Sequence, residues 1–306
     1  MAPPIHLSMP PAPQSRDGLG SMLTDEQFNR ARRLALQVAG IELFERHREV
    51  LARRGRRLGL VDESELEKLL RAVDDGEAAA TQRFLCLLTT KFTGFFRHAP
   101  HFDLAIRHAR CAAERKGHAR LWSAGAATGE EPYSAAIVAI EAFACEQPPV
   151  AILATDLDPL SLETARRGEY GDLALRGLEP PRRERFFAAG ESRGRWIISS
   201  AVRRLVEFRA LNLISKAWPV EGEFDVIFCR NVLMYLHSNY RRKVVERMTR
   251  LLALDGLLII DPAEHLGEVD HLCMPVIAGA YSRRFPNAWD PDGTWKSTAI
   301  FERKNI

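Results

Sequence analysis

From Arg120 to Ile260 the apolar positions keep two alternating rhythms. Leu121-Trp122, Val150-Ala-Ile-Leu-Ala154, Phe224-Asp-Val-Ile-Phe-Cys229 and Leu257 to Ile260 are short, nearly unbroken runs, as expected of strands covered on both faces. Between them, Ile137, Val138, Ile140 and Phe143 recur at helical spacing. Pro159 to Arg167 reads as a helix closed by Gly168, and Tyr240 to Leu252 as another, followed by a turn at Asp255-Gly256. Strands alternating with helices predict a parallel, doubly wound α/β sheet. The stretch 178–207 breaks the alternation. There Trp196-Ile-Ile198 and Leu205-Val-Glu-Phe208 suggest short strands, with Gly190 and Gly194 in turns, so a small β insertion is expected on one face. Ser297 to Glu302 is expected to close the sheet as an edge strand.

Upstream only the helical rhythm survives. Thr24 and Gln27 have capping-box spacing, Leu34, Val38 and Ile41 continue a stripe, and Gly40 marks a boundary. A second helix starts near Asp62 or Ser64, carries Leu66, Leu69, Leu70 and Val73, and stops at Asp75-Gly76; a third runs from Glu77 through Phe84, Leu87 and Leu88. Phe102 to Ala113 is helical again. The expected organisation is a disordered tail over 1–22, an all-helical domain over 23–90, a linker and helix over 91–118, and an α/β domain over 119–306.

Composition narrows the class. At 306 residues, 46% hydrophobic and 27% charged, the chain has the balance of a soluble globular protein, and no apolar run reaches bilayer length. The first twenty residues hold five prolines and neither a basic nor an apolar leader segment, so no signal peptide is expected. Five scattered cysteines without a CxxC pair point to reduced thiols in the cytoplasm, and no metal site is expected. The net charge of +3 conceals an asymmetry: nine arginines between Arg30 and Arg57 face Glu42, Glu45 and Glu49, a local +6. Such a segment is either simply solvated or suited to an acidic partner.

The densest chemistry lies in WSAGAATGEEPYSAA, Trp122 to Ala136, a strand, a glycine turn and a helix start. It has Gly125 and Gly129 but no Gly-Lys-Ser/Thr, so it does not suit a triphosphate. Glu130 and Glu131 stand at the helix start, where the dipole favours carboxylates. They would repel phosphates yet suit a ligand with hydroxyls and positive charge, such as S-adenosylmethionine. Ligands of open α/β sheets sit beyond the strand ends, which adds Asp156 as a ribose acceptor, with Asp158 as the next helix's cap. Arg230, Asn231 and Tyr235 follow a wholly apolar strand and could serve a ligand or a structural cap.

Five strings in order resemble the chemotaxis receptor methyltransferases, the CheR family: TTKFTGFFR (Thr89 to Arg97), GEEPYS, ATDLD (Ala154 to Asp158), Leu211-Asn212-Leu213 and CRNVLMYL (Cys229 to Leu236). The resemblance implies a helical N-terminal domain, a Rossmann-like S-adenosylmethionine-dependent methyltransferase domain and a small β-subdomain inserted in it. It implies S-adenosylmethionine as cofactor, S-adenosylhomocysteine as product, and glutamate side chains on the cytoplasmic helices of methyl-accepting chemoreceptors as substrate, giving methyl esters. It further implies cofactor contacts from Thr93, Arg97, Glu131, Asp156, Asn212, Leu213, Arg230 and Asn231, with Arg97 and Tyr235 nearest the transferred methyl. A monomer is expected, with no nucleic-acid partner and no membrane insertion.

Three positions depart from the family pattern: Lys91 replaces Asn, Ala127 replaces Ser or Thr, and Asp261-Pro-Ala-Glu264 replaces GHSE. Lys91 and the last of these keep open a non-catalytic regulatory protein that binds the cofactor or its product. The arginines keep open a nucleic-acid methyltransferase, although no Asn/Asp-Pro-Pro-aromatic motif is present.

Overall fold

Leucine and phenylalanine stripes assemble the N-terminal helices. In the computed structural model, which describes residues 23–60, 62–89, 93–266 and 271–283, four helices come first: α1 (Asp25–Ala39), α2 (Arg48–Arg57), α3 (Glu63–Asp74) and α4 (Ala78–Leu88). Thr24 and Gln27 form the expected reciprocal cap of α1, and Gly40 ends the helix at φ +67°. Phe28, Leu34, Leu70, Phe84 and Leu87 form their common core. Helix α2 was not anticipated, because its arginines hide the apolar period: Leu51 and Gly55 are its buried residues.

Helix α5 (Ala99–Lys116) leads into the α/β part. There β1 (Ala119–Ala124), α6 (Glu130–Phe143), β2 (Val150–Asp156) and α7 (Pro159–Arg167) follow one another. After them come β3 (Glu169–Gly171), α8 (Pro180–Phe186), β4 (Phe187–Ala189), β5 (Arg195–Ile198), α9 (Ser200–Arg203) and β6 (Val206–Ala210). The remaining elements are β7 (Phe224–Phe228), α10 (Ser238–Leu251), β8 (Leu252–Ile259), β9 (Cys273–Ile277) and β10 (Ala280–Arg283).

The main sheet has the order β6-β2-β1-β7-β8-β10-β9. Strands β6, β2, β1, β7 and β8 are mutually parallel; β10 is antiparallel to β8 and to β9. Both faces are covered, and the solid runs divide by alternation. Leu121, Val226, Phe228, Leu257 and Ile259 pack towards α5 and α6. Trp122, Ile227, Leu258 and Ile260 pack with Val244, Val245 and Met248 of α10.

Two expectations are revised. The insertion is a sheet of order β3-β5-β4, so it begins at Glu169, whereas Val206–Ala210 joins the main sheet beside β2. Local pattern does not say which partner a short strand takes; the register of Ile152 with Val206 through Asp156 with Ala210 settles it. Asp255-Gly256 is not a turn but an irregularity inside β8, where a Cβ on Gly256 would stand 3.0 Å from the carbonyl oxygens of Ala253 and Phe224. The edge strand expected at Ser297–Glu302, the 1–22 tail and Lys91 lie outside the described residues. Among the described residues no helix is long and apolar enough to cross a membrane.

Candidate functional site

Strand order reverses at β1, flanked by β2 on one side and β7 on the other, and the crevice opens beyond the carboxyl ends of these three strands. A cleft of about 820 Å³, open to solvent on one side, occupies this position. Gly125, Ala127, Asp156, Asn212, Leu213, Asn231, Val232 and Tyr235 line it from the α/β side. Ala39, Ile41, Leu88 and Thr89 close it from the N-terminal helices. Of those four, only Thr89, which opens the TTKFTGFFR string, was signalled in the sequence. Ala39 and Ile41 are held there through a bridge between Ile41 and Leu236, through Glu42 N donating to Tyr235 O at 3.0 Å, and through His237 N donating to Gly40 O at 2.9 Å, while Thr89 Oγ1 donates to Asp158 Oδ2 at 3.5 Å.

The turn after β1 needs its glycines. Gly125 has φ +91°, and a Cβ there would come 2.3 Å from Val232 Cγ2; Gly129 has φ +97° and would meet Ala165 Cβ at 2.9 Å. The loop is pinned by Asp156, whose Oδ2 accepts from Ala127 N at 2.7 Å while Oδ1 accepts from Asp158 N at 2.8 Å. Burial pushes the Asp156 carboxyl above its usual range, against those amide hydrogen bonds. Each of its oxygens retains a lone pair at the cleft wall. Asp158 caps α7 through Leu160 N at 2.9 Å, as its position before Pro159 suggested. Asn212 is committed on both ends of its amide: Nδ2 donates to Val38 O at 2.7 Å and Oδ1 accepts from Ile214 N at 3.1 Å. It therefore ties α1 to the cleft and offers a ligand its flank and backbone.

Four expected contacts lie outside the cleft lining. Thr93 is half-buried in the segment before α5. Glu131 is buried behind the glycine turn, accepting from Ser123 Oγ at 2.7 Å and from Arg230 Nε at 2.5 Å. Arg230 in turn donates through Nη1 to Arg97 O. Arg97, with a third of its side chain exposed, reaches Asp261 Oδ2 at 3.4 Å. Glu131 and Arg230 thus lie behind the cleft, Glu131 holding the Ser123 hydroxyl of β1 and Arg230 the carbonyl of residue 97. Glu130 is also buried; burial pushes its carboxyl up, and Thr128 Oγ1 donates to it at 2.7 Å.

The Asp261–Glu264 segment, noted in the sequence only as a departure, holds Asn231 of the cleft wall from behind. Asp261 Oδ2 accepts from Asn231 Nδ2 at 2.8 Å. Glu264 accepts from the backbone amides of Asn231, Met234 and Asp261, each at 3.0 Å. Burial pushes the Glu264 carboxyl up despite those three donors. At Asp261 burial also opposes the charge, but the Ala263 amide, Asn231, His98 and Arg97 outweigh it and hold the carboxyl below its usual range. The strand-end rule that singled out Asp156 and Asn231 applies equally to Asp261, which follows β8, and could have found it. Backbone strain concentrates here: Phe96, His98, Ala127 and Asn231 are non-glycine residues at φ +54°, +58°, +47° and +57°. Each costs about 1–3 kcal/mol and persists because surrounding contacts impose it.

The residues present fit an adenosyl ligand. The cleft lies beyond the carboxyl ends of the parallel strands, where open α/β sheets take their ligands. Its polar groups are few and its walls carry Leu157, Leu211 and Leu213, which suit a purine.

The comparisons agree. Residues 91–278, more than half of the chain, match the family model described as "CheR methyltransferase, SAM binding domain". The chain is 37% identical over 262 residues to chemotaxis protein methyltransferase 2 of Pseudomonas aeruginosa, an alignment covering 85% of this chain and 93% of that protein. It is 37% identical to the chemotaxis protein methyltransferase of Escherichia coli (81% of this chain, 87% of that one) and 38% identical to that of Salmonella typhimurium (81% and 86%). A cleft built at the strand reversal, five motifs around it and relatives aligned over most of their length place this chain in the CheR family of methyltransferases, with S-adenosylmethionine as its cofactor.

Proposed function

We propose that the protein methylates γ-carboxylates of glutamates on chemoreceptor helices, forming glutamyl methyl esters. The observation that carries this reading is the alignment with chemotaxis protein methyltransferases over most of their length, and the chemistry of the cleft is in keeping with it. Among its described lining residues, Asp156 and Tyr235 alone have ionisable side chains, and none is a lysine or histidine. An amine or hydroxyl acceptor would need a base to remove its proton. A free glutamate, with a pKa of about 4.3, arrives already ionised at neutral pH.

When bound, S-adenosylmethionine supplies an electrophilic methyl carried on a sulfonium. Asp156 would accept from the ribose hydroxyls, and Asn212 with Leu213 would flank the adenine. Asn231 lines the cleft beside Val232 and is held by Asp261 and Glu264. Arg97 steers the incoming carboxylate, and Tyr235, 37% exposed at the mouth, donates a hydrogen bond to it or packs against it. The protein's task is orientation, which can lower a barrier by about 7–11 kcal/mol when the reacting atoms are held at near-attack distance.

The N-terminal helices supply a basic surface for a glutamate-rich partner. Arg30 pairs with Glu67 and Asp74, Arg48 with Asp25 and Glu45, and Arg54 donates to the carbonyls of Leu87 and Leu88. Arg32, Arg46, Arg53 and Arg57 remain exposed. Methyl incorporation into a chemoreceptor cytoplasmic fragment, followed by base-labile release of methanol, tests the ester directly. Arg97→Ala should lose most activity, and receptor affinity should fall as salt rises. Full activity in Arg97→Ala would remove its assigned role.

A further inference from the structure

Three side-chain nitrogens from two separate segments meet on one carboxylate oxygen. Asp261 Oδ2, just past β8, faces Arg97 Nη2 at 3.4 Å, His98 Nε2 at 3.3 Å and Asn231 Nδ2 at 2.8 Å. Its other oxygen accepts from Ala263 N at 3.0 Å. The Asp261 side chain is 6% exposed, so it is held in place while Arg97 is 32% exposed and reaches outward. Arg97 O is fixed independently by Arg230, which is itself anchored on Glu131. Backbone and side chain of residue 97 are thus held from opposite ends.

We infer that Asp261 is a positioning residue: it orients the Arg97 guanidinium and the Asn231 amide together for the acceptor carboxylate. This rests on the role given to Arg97 above. A guanidinium on a flexible stem loses steering value unless something restrains it, and a buried carboxylate is a strong restraint. The same charge offsets Arg97 locally, so the site is less repulsive to a sulfonium than an unpaired arginine would make it. The depressed Asp261 carboxyl keeps the restraint ionised throughout the neutral range.

Steady-state kinetics on the full-length protein with S-adenosylmethionine and a chemoreceptor cytoplasmic fragment test this. Asp261→Asn should lower kcat on the order of tenfold, with the KM for the cofactor changed less than about threefold, because the ribose and adenine contacts lie elsewhere. In an Arg97→Ala background the same substitution should cost markedly less, about threefold or below, since only the Asn231 amide remains to orient. Should Asp261→Asn fold poorly, Asp261→Ser keeps an acceptor for Ala263 N and serves in its place. An unchanged or raised kcat, or an equal tenfold loss with and without Arg97, overturns the inference. An Arg97→Ala protein with full activity would instead overturn the proposed role of Arg97, so the two failures are distinguishable.

Discussion

Arg230 and Glu131 form an ion pair, Nε to Oε2 at 2.5 Å, with side-chain exposures of 3% and 9%. They stand 99 residues apart and join the end of β7 to the start of α6. Glu131 also takes Ser123 Oγ, and Arg230 also reaches Arg97 O and lies 5.1 Å from the Phe102 ring. The pair is a strut between the cofactor turn and the segment that carries Arg97.

Removing one member should therefore be costly in stability. Arg230→Met or Glu131→Leu leaves a buried charge alone, which costs about 3–5 kcal/mol. The double substitution should recover part of that loss. Urea unfolding of the two singles and the double provides the check; simple additivity would mean that the strut is unimportant.

Asp156 should govern cofactor affinity. A hydrogen bond to a charged group contributes about 1.5–3 kcal/mol, so Asp156→Asn should weaken S-adenosylhomocysteine binding by a factor of roughly 10–150. Calorimetry measures it. A Kd within twofold of the native protein would place the ribose elsewhere.

The glycine turn should tolerate no side chain. Gly125→Ala places a methyl 2.3 Å from Val232 Cγ2 at φ +91°. Cofactor binding should be lost, and adding Val232→Ala should restore part of it, because the clash is relieved while the backbone cost remains. The same binding assay compares the two proteins.

Mild acid should destabilise the fold through two histidines. Burial lowers the pKa of His108, and it likewise lowers that of His101, whose Nε2 lies 2.8 Å from Ala278 O. Their folded pKa lies below the unfolded 6.5, so the unfolded chain binds more protons once the pH drops towards that value. Their stability contribution is complete above pH 6.5 and is lost as pH falls towards the folded pKa. Urea midpoints at pH 7.5 and 5.5 should differ less in His108→Leu than in the native protein. Glu130, Asp156 and Glu264, with carboxyl pKa values raised by burial, act in the opposite sense at lower pH and are common to both proteins.

Much of the scaffold was legible because its cause is local. The short solid runs at 150–154 and 224–229 are strands, the second of them buried throughout, and Thr24, Gly40, Asp158 and Gly168 marked helix ends by chemistry within a few residues. Asp156, Asn212, Leu213, Asn231 and Tyr235, named from the sequence, all line the cleft. What escaped was non-local. Val206–Ala210 was given to the wrong sheet, and the Asp255-Gly256 irregularity looked like a turn. The roles of Asp261 and Glu264 depend on partners about 30 to 164 residues away.

The amino-acid order alone determined the alternation of strands and helices, the helix caps and the glycine turn, because each follows from side-chain period or from a backbone angle at one position. Only the tertiary structure decided that Glu131 braces Arg230 instead of facing the cleft, that α1 and α4 close the cofactor site, and that Asp261 gathers Arg97, His98 and Asn231. Those outcomes depend on which buried charges and donors find one another across the folded chain, and burial, which makes an unpaired charge so costly, exists only once the chain has folded.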